Sequence, residues 1–203
     1  MKFDFAFHRT RTYKYYEVYL KRFKNKPSPI LEIGSGIGLF LEACEKNGID
    51  AVGLEYEIEG VQEATKKKLT AYQHDINNKI DFLDDSSFEA VFSNQVIEHI
   101  PNDAQINMVN EAYRVLKPGG QVLINSPCRH YQPAREDKYH VSLLTPSELK
   151  CMLENSGFIQ CNLKFNICQD IPEIPAKELE KIWKKYQPDL FSKTAAVLAC
   201  KPM

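Results

Sequence analysis

Three groups of residues in this 203-residue chain could do chemistry. The first is the turn Gly34-Ser35-Gly36-Ile37-Gly38, which follows the run Ile30-Leu31-Glu32-Ile33 and leads into a helical pattern from Leu39. Glycines between a strand and a helix let a ligand come against the backbone, where the free amides of the helix start face it. The second group is acidic: Glu32, Glu55 and Asp75. Glu32, two residues before the first glycine, is expected to be partly buried and so to need partners. The third is a pair of imidazoles, His99 and His140, which titrate near neutrality and can act as bases. Each has a structural alternative: His99 could simply hydrogen-bond a carbonyl, and His140 could tie its loop to the helix that follows. The glycine spacing is not GxGxxG, because the third glycine comes one residue early, and the turn lacks the lysine of a P-loop. A pyrophosphate is therefore not the expected guest.

These residues need strands and helices to bring them together. Pro27 and Pro29 break an amino-terminal pattern expected to be helical around Tyr13 to Phe23, and a buried strand is expected at 30–33. Alternation then predicts a helix at 39–46, a strand at 51–54, a helix at 58–68 and a short strand at 70–73, a βαβαβ half. A second half follows, with a strand at 88–93, a helix at 103–115 and a strand at 121–125 introduced by the turn Lys117-Pro118-Gly119-Gly120. His99 and His140 then lie beyond carboxyl ends of strands, where open α/β sheets keep their ligands. Thr145-Pro146-Ser147-Glu148 reads as a capping box opening a helix to about Asn155. Two last strands are expected at 159–167 and 194–200, separated by Leu179, Ile182, Trp183 and Tyr186 at helical spacing, a packed face or, if exposed, a homodimer contact.

Composition narrows the partners. Hydrophobic residues make up 43% and charged residues 26%, with a net charge of -1, so no overall basic field would collect nucleic acid. No apolar run approaches the ~18 residues of a membrane helix, and the charged amino terminus is unlike a secretory signal, so the expected compartment is the cytoplasm. The six cysteines form no CxxC pair and are expected to be reduced, and no metal ligand set is expected. The reading is one domain over 1–203, with an amino-terminal cap at 1–27 and substrate-side or peripheral insertions at 126–144 and 169–191.

Leu31-Glu32-Ile33-Gly34-Ser35-Gly36-Ile37-Gly38 resembles the first motif of the class I S-adenosylmethionine-dependent methyltransferases, and later stations repeat the order of that family. Gly53-Leu54-Glu55 resembles the end of its second strand, His74-Asp75-Ile76 the loop after the third, Phe92 to Ile100 the segment after the fourth, and Leu116 to Gly120 the turn before the fifth. The closest likeness is to the group that includes quinone-biosynthesis and small-molecule methyltransferases. The resemblance implies a Rossmann-like, doubly wound sheet of seven strands, six parallel and one antiparallel. It implies S-adenosylmethionine as cofactor, held by Glu32, Gly34, Ser35, Gly36, Gly38, Glu55, Tyr56, Asp75, Ile76, Asn94 and Gln95. Glu55 would take the ribose hydroxyls and Asp75 the adenine amino group, while Arg11 could pair the cofactor carboxylate. His99 and His140 are the candidate catalytic residues, and the expected acceptor is a small molecule with a hydroxyl or amine. The alternatives are a non-catalytic cofactor-binding module and an NAD-dependent oxidoreductase.

Overall fold

The run Ile30–Ile33 forms β1 and is buried along its whole length, which requires apolar cover on both faces. Period-two alternation sends Ile30 to one face, where it joins Phe40, Ala43 and Phe92, and Leu31 and Ile33 to the other, where they meet Met108, Val109 and Ala112. The computed structural model describes residues 5–163, 178, 181, 189 and 192–203. Around β1 the sheet takes the order β3-β2-β1-β4-β5-β7-β6, with β2 at Ala51–Glu55, β3 at Ala71–Gln73, β4 at Phe88–Asn94, β5 at Leu116–Pro127, β6 at Ile159–Leu163 and β7 at Thr194–Cys200. Neighbours from β3 to β5 are parallel, and β7 runs antiparallel to both β5 and β6. Six strands therefore share one direction and β7 opposes them, the expected doubly wound α/β sheet.

The order reverses at β1, whose neighbours are β2 and β4, so a crevice opens beyond their carboxyl ends. Helices cover both faces: α3 (Leu39–Lys46) lies on one, and α5 (Asn102–Val115) and α7 (Pro146–Asn155) on the other. The Phe40 and Phe92 rings stack with centroids 4.2 Å apart. Thr145 and Glu148 form the expected capping box at the start of α7.

Three expectations are corrected. The helix read at 13–23 is broken into a three-residue turn at Tyr13–Tyr15 and α2 at Glu17–Leu20, preceded by α1 at Ala6–Arg9; Tyr16, Tyr19 and Phe23 pack on the α3 face instead of forming one continuous amphipathic helix. The turn at Lys117–Gly120 lies inside β5, because the Gly119 amide donates to the carboxyl-terminal carbonyls of Lys201 and Pro202 and the pairing with β4 resumes after a register shift. The helix expected at 58–68 ends earlier: α4 covers Ile58–Lys66. The segment with Leu179, Ile182, Trp183 and Tyr186 lies outside the described residues, as do Cys168 and most of the insertion read at 169–191. Among the described residues five cysteines are free thiols, with Cys44 and Cys128 buried and Cys151 exposed.

Candidate active site

The glycine turn leaves β1 with the Gly34 and Ser35 amides donating to the Leu54 carbonyl at 2.8 and 2.9 Å, which holds it against the end of β2. Gly34 has φ of +77°, and a Cβ there would meet a Val96 methyl at 2.1 Å, so the missing side chain admits the chain leaving β4. Gly38 answers a different need: a Cβ would lie 2.9 Å from Leu69 and 3.0 Å from Ala64, so this glycine lets α3 approach α4. The sequence reading grouped all three glycines as a cradle. The cleft beside the turn is lined by Glu32, Gly34, Ser35, Gly36 and Asn94 together with His8 and Tyr16 of the amino-terminal segment, and Gly38 is not in its lining.

Glu32 shares its face of the sheet with Ile30, is 3% exposed, and its Oε2 has no hydrogen-bond partner. Burial, with the nearby Glu55 charge adding to it, pushes its carboxyl well above the ordinary range. The buried Ser35 hydroxyl is likewise unpartnered. Unsatisfied polar atoms in residues that line a cleft are costly in isolation and suit a polar guest. Glu55 is differently placed: Oε2 accepts from the Gly36 amide at 2.7 Å and Oε1 from the Glu57 amide at 2.9 Å, so the carboxylate ties the glycine loop to the start of α4. Burial raises its pKa, and the amides at Glu57, Gly36 and Tyr56 oppose that rise. Each oxygen can still accept a further bond.

The remaining predicted residues scatter around this centre. Asp75 closes a turn, its Oδ1 accepting from the amide and side chain of Asn77, and the adjacent Ile76 is buried. Tyr56 is 59% exposed and contributes its carbonyl to the Gln73 side chain. Asn94 in the cleft accepts from the Asn125 side chain at 2.6 Å, and Gln95, in the left-handed region at φ of +60°, donates its amide to the Asn125 carbonyl. Arg11 lies over the Tyr15 ring at 4.2 Å and is not in the cleft lining, although its charge helps lower the His8 pKa after burial. Arg9 instead clamps the amino-terminal segment to α4 through Glu59 and Glu63.

The two imidazoles, 41 residues apart in sequence, meet. His99 sits in a three-residue turn, Ile97–His99, just after β4, and the loop from β5 returns so that the His99 and His140 ring centroids are 5.1 Å apart. The loop docks through its backbone: the amides of Val141 and Ser142 donate to the Glu98 carbonyl. Gln105 of α5, fully buried, donates to the carbonyls of Ile97 and Ser142, both at 2.7 Å, and so holds the turn and the loop together. Beside the pair lies Glu98, fully buried, with no hydrogen-bond partner of good geometry on either carboxylate oxygen. Burial pushes its carboxyl up to about 8, while its own amide and the Ser126 hydroxyl draw it back. His99 is depressed by burial, so it is neutral near pH 7.

Glu98, Gln105 and Tyr16 carry no separate signal in the sequence. A glutamate beside a histidine, a glutamine in an amphipathic helix and one tyrosine among several become conspicuous only when the fold removes them from water. Among the described residues, no helix is long and apolar enough to cross a membrane.

The model of a family described as a methyltransferase domain matches residues 7–160, three quarters of the chain. A protein of Mycolicibacterium smegmatis named a probable S-adenosylmethionine-dependent methyltransferase is 33% identical over 138 residues, covering 64% of this chain and 51% of that protein. A ubiquinone biosynthesis O-methyltransferase of Alkalilimnicola ehrlichii is 28% identical over 102 residues, covering 48% of this chain and 40% of the relative. The chain thus spans about half the length of the curated relatives it matches. The crystal structure of an S-adenosylmethionine-dependent methyltransferase from Archaeoglobus fulgidus superposes with a TM-score of 0.77 at 22% identity over 98% of this chain and all of that one. Glycine turn, strand order and family match agree: the chain belongs to this methyltransferase domain family, within the class I, S-adenosylmethionine-dependent methyltransferases.

Proposed function

We propose that the chain moves a methyl group from S-adenosylmethionine to a hydroxyl or amine of a small-molecule acceptor. The observation that carries this reading is the pair of unpartnered buried polar groups, Glu32 Oε2 and Ser35 Oγ, in residues that line the cleft beside the glycine turn. They fit the cationic amino acid end of the cofactor, and a positive guest would return Glu32 to its charged form. Glu55 and Asp75 would hold the adenosine end, each with acceptor capacity left after its backbone bonds. When bound, the cofactor supplies an already activated methyl group.

What the chain then contributes is alignment, worth ~7–11 kcal/mol in favourable cases. His8 and Tyr16 wall the cleft on the amino-terminal side, and the Phe5 ring, 2% exposed, packs near Gly36 and Gly60. Val96, packed on Gly34, links the cleft to the Glu98, His99 and His140 group two residues further on. That group is where the acceptor's hydroxyl or amine would be held and relieved of its proton. His99 donates its Nδ1 proton to the Tyr139 carbonyl at 3.0 Å, and His140 donates its Nδ1 proton to the Ala134 carbonyl at 2.6 Å. A carbonyl only accepts, so Nδ1 carries a proton in each ring and Nε2 is the nitrogen whose lone pair can be free.

The test is calorimetric titration with S-adenosylmethionine and, separately, NAD. The expected result is binding of S-adenosylmethionine alone, weakened at least about tenfold in Glu55→Ala because a charge-assisted bond of ~1.5–3 kcal/mol is lost. Binding of NAD without S-adenosylmethionine would overturn the reading.

A further inference from the structure

Glu98, His99 and His140 present one oxygen and two ring nitrogens that all lie within 4.8 Å of one another. The sequence reading expected no metal, and the third residue lies 41 positions from the second. The folded arrangement has the features of a ligand set. His99 Nε2 lies 3.9 Å from Glu98 Oε1, too long for a hydrogen bond and suited to two atoms facing a common point. Both imidazoles are oriented by a backbone carbonyl on Nδ1, which fixes the tautomer with Nε2 as the donor of electrons, as outer-shell carbonyls do for metal-bound histidines. The carboxylate is fully buried and has no well-placed hydrogen-bond partner, which is the independent sign of a missing guest. The Asp137 carboxylate lies 3.8 Å from His140 Nε2, on the side of the proposed ligand atom, and adds negative charge there.

We propose that Glu98, His99 and His140 form a binding site for one divalent first-row transition ion, such as Zn²⁺ or Co²⁺, through two Nε2 atoms and one carboxylate. Two imidazoles and a carboxylate favour such ions over Mg²⁺ or Ca²⁺, which take shells of oxygen. A four-coordinate ion with bonds of ~2.0–2.2 Å holds its ligand atoms about 3.4 Å apart, so each edge of the trio, none longer than 4.8 Å, closes by at most about 1.4 Å. Three protein ligands leave at least one position for an exchangeable molecule. With both Nε2 atoms on the ion, that position would take an acceptor oxygen and ease loss of its proton in place of a free imidazole base, a consequence that rests on the function proposed above, whereas the binding of the ion does not.

The experiment uses tag-free protein stripped with a chelator and titrated with Co²⁺ while visible absorption is followed, with Zn²⁺ as competitor and Mg²⁺ as the contrasting probe. The expected result is one equivalent of Co²⁺ with ligand-field bands, displaced by Zn²⁺ and not by equimolar Mg²⁺. Glu98→Gln, His99→Gln and His140→Gln should each weaken binding at least about tenfold, and His130→Gln, an exposed histidine of the same loop, should leave it unchanged. S-adenosylmethionine binding, whose cleft contains none of the three, reports that each variant is folded. If Glu98→Gln does not fold, the two histidine variants carry the test. No saturable Co²⁺ binding, or binding that survives unchanged in His140→Gln, overturns the site. Cofactor binding without the ion sinks the metal site alone, and ion binding without the cofactor sinks the proposed function and leaves the site standing.

Discussion

Gln105 holds the two halves of the candidate site together, and replacing it by leucine isolates that work. The side chain is fully buried in α5, and its amide nitrogen donates to the Ile97 carbonyl before His99 and to the Ser142 carbonyl after His140. Leucine keeps most of the volume and removes both donors. The Ile97 acceptor is orphaned in a buried setting, which costs about 1–3 kcal/mol, while the part-buried Ser142 carbonyl can turn to water and loses about 0.5–1.5 kcal/mol. Against this, Gln105 Oε1 has no partner in the native fold, so removing it returns about 1 kcal/mol. The net expectation is a loss of about 2 kcal/mol, or a melting temperature lower by about 4–8 °C for a chain of this size. Urea denaturation and differential scanning calorimetry measure both. Cofactor affinity should hold, since Gln105 does not line the cleft, while Co²⁺ affinity falls as His99 and His140 lose their common support. A variant within about 0.5 kcal/mol of the parent, below what one orphaned buried carbonyl should cost, would refute the bookkeeping.

Two further outcomes follow from the cleft. The Glu32 carboxyl is raised above its ordinary value of 4.5 by burial, so the stability of keeping its proton is fully present below about pH 4.5 and is lost as pH climbs through the folded value. Glu32→Gln lacks this loss, so its advantage over the parent in cofactor-free denaturation should widen with rising pH; a difference constant from about pH 5 to pH 9 would contradict the assignment. Gly38→Ala should destabilise by about 2–4 kcal/mol, combining a left-handed backbone with contact against Leu69 and Ala64. Thermal unfolding that matches the parent would show that α3 and α4 can part at no cost.

Strand and helix positions were legible because each element buries a face, and burial writes its own period. Ile30–Ile33 is apolar around Glu32 because helices cover both sides of the sheet, and Leu39–Lys46 and Thr194–Cys200 agree to the residue with the reading from pattern. The start of α7 was equally plain, since a capping box is a local device whose partners lie three residues apart. The amino-terminal segment was not: its aromatics read as one helix, yet Tyr16, Tyr19 and Phe23 are drawn to the α3 face one by one, and distant packing outweighed local propensity.

The cofactor side follows the same division. The sequence alone supplied grounds to expect a ligand against the backbone at Gly34 to Gly38, because glycines between a strand and a helix permit close approach. Only the tertiary structure decided which glycine serves what: Gly34 admits Val96, Gly36 lends its amide to Glu55, and Gly38 lets two helices meet. It also decided that Glu98, His99 and His140 stand together, and that Gln105 keeps them there. No local pattern could have announced this, since the contacts form between a turn after β4 and a loop after β5 whose meeting depends on the sheet bringing those two strand ends side by side.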